Sequence, residues 1–144
     1  MYKVYSFDDV NVTIIHPSVG QYIANGQGIG TLTITRANDN TAHELAADGS
    51  VMISKIKARN GNCAIAIQQT SDFHTWLKRW FNYLEFAAPS EWAETVIIVR
   101  SPNMQVLDTL TGVSPQKPGD QPFQQQGQNV TWTLMAADVQ LDTV

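Results

Sequence analysis

The sequence predicts a mainly β fold, an antiparallel β-sandwich or barrel with one flanking amphipathic α-helix at about residues 71–86. Three observations carry this. Short segments alternating apolar and polar residues recur along most of the chain, the pattern of half-buried strands. Turn signals separate them, the strongest being Asn60-Gly61. One segment alone, SDFHTWLKRWFNYLEF, changes to a helical period. At 144 residues the chain is one domain's worth, 1–144, long enough to bury a core.

Val10, Val12 and Ile14 alternate with Asn11 and Thr13, and His16-Pro17 closes that strand because proline cannot donate to a ladder. Gly20, Gly26, Gly28 and Gly30 punctuate the approach to Thr31–Arg36, where Leu32 and Ile34 face one way and Thr31, Thr33 and Thr35 the other. A polar run, residues 37–50, reads as a long loop in which AHELAA can form a turn of helix. A simple hairpin needs only about two to five residues there. Val51–Ala58 reads as the next strand, followed after the Asn-Gly turn by Cys63–Gln69, with Cys63, Ile65 and Ile67 on one face. Cys63, the only cysteine, is expected to be a buried small hydrophobe.

In the helix, Phe73, Leu77, Trp80, Phe81 and Leu84 recur at three- and four-residue spacing and form the core face, flanked by Trp76 and Tyr83. Thr75, Lys78, Arg79 and Asn82 form the outer face, Ser71 or Asp72 caps the start, and the helix ends before Pro89. His74 is expected to be partly exposed. The later strands are Thr95–Arg100, Met104–Thr111 and Asn129–Ala136. Between the last two lies a Pro/Gln-rich loop, residues 114–129, whose length suggests ordering by a neighbouring molecule.

Composition narrows function by exclusion. Charged residues are 15% of the chain and the net charge is −4, so no basic footprint for tight nucleic-acid binding is visible. His16, His43 and His74 have no metal-ligand spacing, and a lone cysteine adds none. His43 beside Glu44 lacks a nucleophile in a recognisable frame. GQGIG precedes a strand where a dinucleotide fingerprint would open a helix, and Asp8, Asp9, Asp39, Glu44 and Asp48 fit neither a calcium loop nor a glycosidase pair. No catalysis and no cofactor are expected. The N-terminus lacks the apolar run of a signal peptide, and no stretch approaches the roughly 18 apolar residues of a membrane span, so a soluble protein of a reducing cytosol is expected.

The longer runs carry a resemblance. YSFDDVNVTIIHPSVGQY, AADGSVMISKI with RNG after it, QQTSDFHTWLKRWFNYL, EWAETVIIVRSP, TGVSPQKPGDQPFQQQGQNVTW and LMAAD resemble the tail tube proteins of contractile-tailed bacteriophages, from about Tyr5 to Asp138. The resemblance implies a structural virion protein made in the host cytoplasm, whose hexameric rings stack into a tube for DNA ejection. It implies tail sheath, baseplate and tail terminator proteins as partners, with tape-measure protein and DNA transiently in the lumen. The loop 37–50 would then stack on the next ring through Asn38, Asp39, Asn40, His43, Glu44 and Asp48. Thr31, Thr33 and Thr35, with Ser54 on the partner strand, would be a candidate lumen wall, and six chains at −4 each would carry −24 per ring. Arg36, Lys55, Lys57 and Arg59 are candidates for pairing with acids across a subunit boundary. Two other readings compete: the tube of a contractile injection or secretion system, and a monomeric carbohydrate- or ligand-binding β-sandwich using Trp76, Trp80, Trp92 or Trp132 as platforms.

Overall fold

Alternation of buried and exposed residues along β1 (Asn11–His16), β6 (Gly61–Gln68), β7 (Thr95–Ser101) and β9 (Asn129–Asp142) dictates a sheet with one dry face. The computed structural model describes residues 2, 4–25 and 28–143. It joins these strands with β2 (Gly20–Ala24), β3 (Ile29–Arg36) and β8 (Val106–Lys117) into one antiparallel sheet, ordered β2-β1-β7-β8-β9-β6-β3. Its edges, β2 and β3, are consecutive in the chain. Only residues 25–28 link them, so the end of one edge lies within about 18 Å of the start of the other. The sheet is therefore curled into an open barrel.

Helix α1 (Asp72–Phe86) covers the dry face. The Ser71 hydroxyl accepts the Phe73 N–H at 3.2 Å, the expected N-cap. Phe73, Trp76, Leu77, Trp80 and Leu84 are buried with Val12, Ile14, Ile65, Ile97, Trp132 and Leu134, each contributing about 1.5–3 kcal/mol by leaving water. Phe81 is half-buried, while Thr75, Lys78, Arg79 and Asn82 are exposed as the spacing requires. Trp80 Nε1–H donates to Thr95 Oγ1 at 3.0 Å, satisfying two polar groups inside the core. Cys63 is fully buried and its thiol is pushed up to about 12 by desolvation.

Several sequence expectations are corrected. The chain turns at Pro102–Gln105, so β8 starts at Val106 and not at Met104, then runs on through Lys117. Pro115 fits in it because the pairing with β9 is irregular at that point. The irregular Pro/Gln-rich stretch accordingly shrinks to 118–128, and this chain's own side chains tie it down: Gln69 donates to the Pro122 carbonyl and His74 meets Gln121. Strand β9 extends past Ala136 to Asp142. Within β8, Gly112 adopts φ +63 at a bulge against β7, where a Cβ would stand 2.7 Å from the Ala137 side chain. Gly26 lies outside the described residues. Among the described residues, no helix is long and apolar enough to cross a membrane.

Candidate assembly interface

The polar run after β3 holds a strand, Thr41–Leu45, where a loop with a helical turn was expected; 37–40 and 46–50 are turns and irregular backbone. Strands β4 (Thr41–Leu45) and β5 (Val51–Lys55) pair only with each other, as a separate two-stranded sheet in which every residue is exposed. This arm stands off the body. Val51–Ala58 is consequently not one strand of the main sheet, since β5 ends at Lys55 and residues 56–60 are irregular. The arm's register sets Thr41 opposite Lys55, His43 opposite Ile53 and Leu45 opposite Val51. Side chains alternate across a strand, so Leu45, Val51 and Ile53 share one face with His43 and Lys55, while Glu44, Met52 and Ser54 lie on the other. Leu45 is 72% exposed and Ile53 68%, on a hairpin that is marginal in water by itself.

The stem is built from amides. Asn40 Nδ2 donates to the carbonyls of Ile56 (3.1 Å) and Ala58 (2.9 Å), and the Ile56 N–H donates back to the Asn40 carbonyl at 2.9 Å. Asn38 bonds Asn60, and Arg36 reaches both Asn40 and the Val139 carbonyl, leaving its buried Nε without a partner among the described residues. At the tip the Asp48 carboxylate accepts the Ser50 N–H at 3.0 Å, and that bond lowers its pKa. Of the six residues expected to form a stacking loop, Asn38 and Asn40 thus hold the stem and Asp48 the tip. Asp39 is exposed at the base, and His43 and Glu44 project to opposite faces.

The threonine row is where the alternation placed it. Thr31, Thr33 and Thr35 are exposed on β3. The register continues the row across β6 and β9 as Thr31–Ala66–Thr131, Thr33–Ala64–Thr133 and Thr35–Asn62–Met135, a face with no charged side chain in those nine positions. Ser54 does not belong to it: the partner of β3 is β6, and Ser54 sits in the arm opposite Ala42. Arg59 finds its acid within this chain, Asp138 at 2.6 Å, and Arg36 is committed to the stem. Lys55 and Lys57 remain exposed.

The expectation for His74 changes, Trp80 lies in the core as its spacing required, and the aromatic platforms of the binding-module reading lose their exposure. His74 is buried: Trp132 Nε1–H donates to its Nδ1 at 3.1 Å, and its Nε2 faces Gln121 Oε1 at 3.2 Å. Trp132 is fully buried, and Trp76 and Trp80 are buried too, so none of the three is a surface platform; Trp92 is partly buried against the core. His16 is also buried, with Nδ1 accepting from Ser18 and Nε2 facing Glu91 at 3.2 Å. Glu94 completes a group of three potential ligands. Both His16 nitrogens are already engaged, so the group serves as a clamp between β1 and the turn after α1.

A cavity of about 630 Å³, which no sequence pattern signals, lies at the open side of the barrel, between β3 and the ends of β7, β8 and β9. Leu32, Ile34, Val99, Val106 and Leu141 line it, with Tyr5, Phe7 and Met104 among its other walls. Asp108 stands in it between its register neighbours Val99 and Leu141. Desolvation raises the Asp108 pKa, against a backbone hydrogen bond from Asp142 that lowers it.

A family model described as bacteriophage PhiTE tail tube protein matches residues 2–142. No curated protein sequence matches the chain. Among solved structures, a chain of the anti-feeding prophage baseplate is similar at TM-score 0.66 and 13% identity, covering 100% of this chain and 99% of that one. A chain of the anti-feeding prophage cap, its tube-terminating cap, aligns at TM-score 0.64 and 12% identity over 100% of this chain and 93% of that one. A chain of the sheath/tube terminator of an extracellular contractile injection system, PVC, aligns at TM-score 0.64 and 10% identity over 99% of each. At these identities the likeness is one of fold.

Proposed function

We infer the function from one premise: the chain belongs to the bacteriophage PhiTE tail tube protein family and is a structural tube protein. Copies of this single 1–144 domain close side by side into hexameric rings, and the rings stack into the conduit for DNA ejection. The observation that carries the reading is the arm, a two-stranded sheet exposed on every residue with an apolar row on one face. Such a surface in a small chain marks an interface. A head-to-tail contact made with it generates an open filament rather than a closed dimer.

Free edges at β2 and β3 supply the lateral joints, since pairing with a neighbour satisfies their open backbone groups. The threonine–alanine face is the lumen wall, offering DNA neither cations to stick to nor apolar patches to wet. Lys55 and Lys57 are left as the charges available to a neighbour. Sheath, baseplate and terminator proteins are its partners in the virion tail, with tape-measure protein and DNA inside the bore, and assembly takes place in the host cytoplasm. No catalysis and no cofactor are assigned. A second reading, the tube of a contractile injection system, is favoured by the similar structures coming from such machines; capsid and packaging genes beside this one would decide for a phage.

Electron microscopy of the purified protein across a concentration series tests the assembly, beside a variant in which a Gly-Ser turn replaces 41–55. Stacked tubes from the full chain, and at most single rings from the variant, are expected. Tubes of normal length from the armless variant would remove the arm from stacking. A monomer at every concentration, with or without a nucleating baseplate, would overturn the tube reading.

A further inference from the structure

The chain carries two unpartnered surfaces of matching chemistry. One is concave, the cavity at the open side of the barrel, with mainly apolar walls, the hydroxyl residues Thr31, Thr33 and Ser101, and a single carboxylate, Asp108. Val99 and Leu141 flank that carboxylate in the register, and no cation pairs with it among the described residues. Asp108 is half-buried there and accepts one backbone hydrogen bond, from Asp142, so its carboxylate keeps capacity for a partner's cation. The other surface is convex: on β5, Val51, Ile53 and Lys55 project to one side about 7 Å apart, beside Leu45. All four are exposed, so a chain's own arm does not fill its own groove.

We propose that the arm of one copy seats in the open-barrel groove of the next, its Leu45–Val51–Ile53 face on Leu32, Ile34 and Leu141, with Lys55 paired to Asp108. This rests on the tube reading and adds the receiving surface. A second copy is the occupant because the groove asks for an apolar ridge ending in a cation, and the chain displays one. The pairing is heterologous and never self-satisfied, so every added copy presents a new free arm at one end and an empty groove at the other.

The test uses two single-residue variants, Ile53→Cys in the arm and Met104→Cys at the groove mouth. Native Cys63 is buried with its thiol pushed up to about 12, so it does not compete under mild oxidation. The two are mixed, assembled, inspected by microscopy and run on a non-reducing gel. A covalent dimer is expected only from the mixture. Met52→Cys, on the arm's opposite face, gives much less with Met104→Cys. Adding Lys55→Asp to the arm variant lowers the dimer yield about tenfold, and Asp108→Lys in its partner restores it. Normal tubes without the dimer, or with equal yield from the Met52→Cys pair, would overturn the groove assignment and leave the tube reading standing. Failure of the unaltered chain to assemble at all would overturn both.

Discussion

His74 shows how one buried hydrogen bond fixes a charge state. The Trp132 N–H can only donate, so Nδ1 of His74 must accept, and the remaining proton sits on Nε2 toward Gln121. Protonating Nδ1 breaks that bond. Desolvation lowers the His74 pKa first, Lys78 lowers it further, and the Gln121 bond opposes both. A depressed folded pKa means that the unfolded chain binds more protons below about 6.5. Stability is therefore fully present above that pH and is lost as pH falls through the lowered value. Thermal midpoints measured between pH 7.5 and 5.5 should decline on acidification, and His74→Gln should be less stable at pH 7.5 but flatter across the series. Parallel declines in both proteins would assign the effect to other groups. The sequence placed His74 on an accessible turn because helical period specifies a face, not what covers it. The covering comes from Trp132, some 58 positions away, and from Gln121. Cys63, by contrast, was legible because its neighbours Ile65 and Ile67 set the face by strict alternation.

At the scale of elements, the helix was readable and the arm was not. Helix α1 announces itself through period, an N-cap serine and one wide apolar face, all local properties. The arm has no face turned to a core, so the pattern that betrays a strand, one buried side against one wet side, has no cause to be there. TAHEL on β4 and VMISK on β5 then read as loop and as part of a main-sheet strand. What holds the element together is its stem, and the central residue there is Asn40, whose side chain donates twice and accepts from Arg36. Asn40→Ala should leave the body intact, with a thermal midpoint within about 3 °C of the parent. Limited proteolysis should cut within 41–55 faster, and tube yield in the microscope should drop. Unchanged proteolysis would mean that the strand pairing alone keeps the arm formed.

For the whole molecule, the distribution of charge and of sheet edges decides what an assembly can be. Nine uncharged positions over β3, β6 and β9 make a face of threonines, alanines, Asn62 and Met135, and Lys117 stands at the register position beside Thr133 at its far margin. Particles carrying Thr31→Lys, Thr33→Lys and Thr35→Lys in the tube protein should eject DNA more slowly, in a manner relieved by added salt, because each new cation binds phosphate. Ejection followed by dye fluorescence, unchanged at low salt, would remove that face from the bore. The threonine row itself was legible, but its continuation through Ala64, Ala66, Thr131 and Thr133 was not, since strand order in a sheet is a long-range property that no segment states. The arm adds a mechanical consequence. The body is a sheet seven strands wide, and the strap leaving it is two. A column joined through such straps is a series of stiff blocks on compliant joints. Sideways load on such a column would collect as curvature at the joints while each block kept its cross-section, so it would flex and spring back without pinching shut.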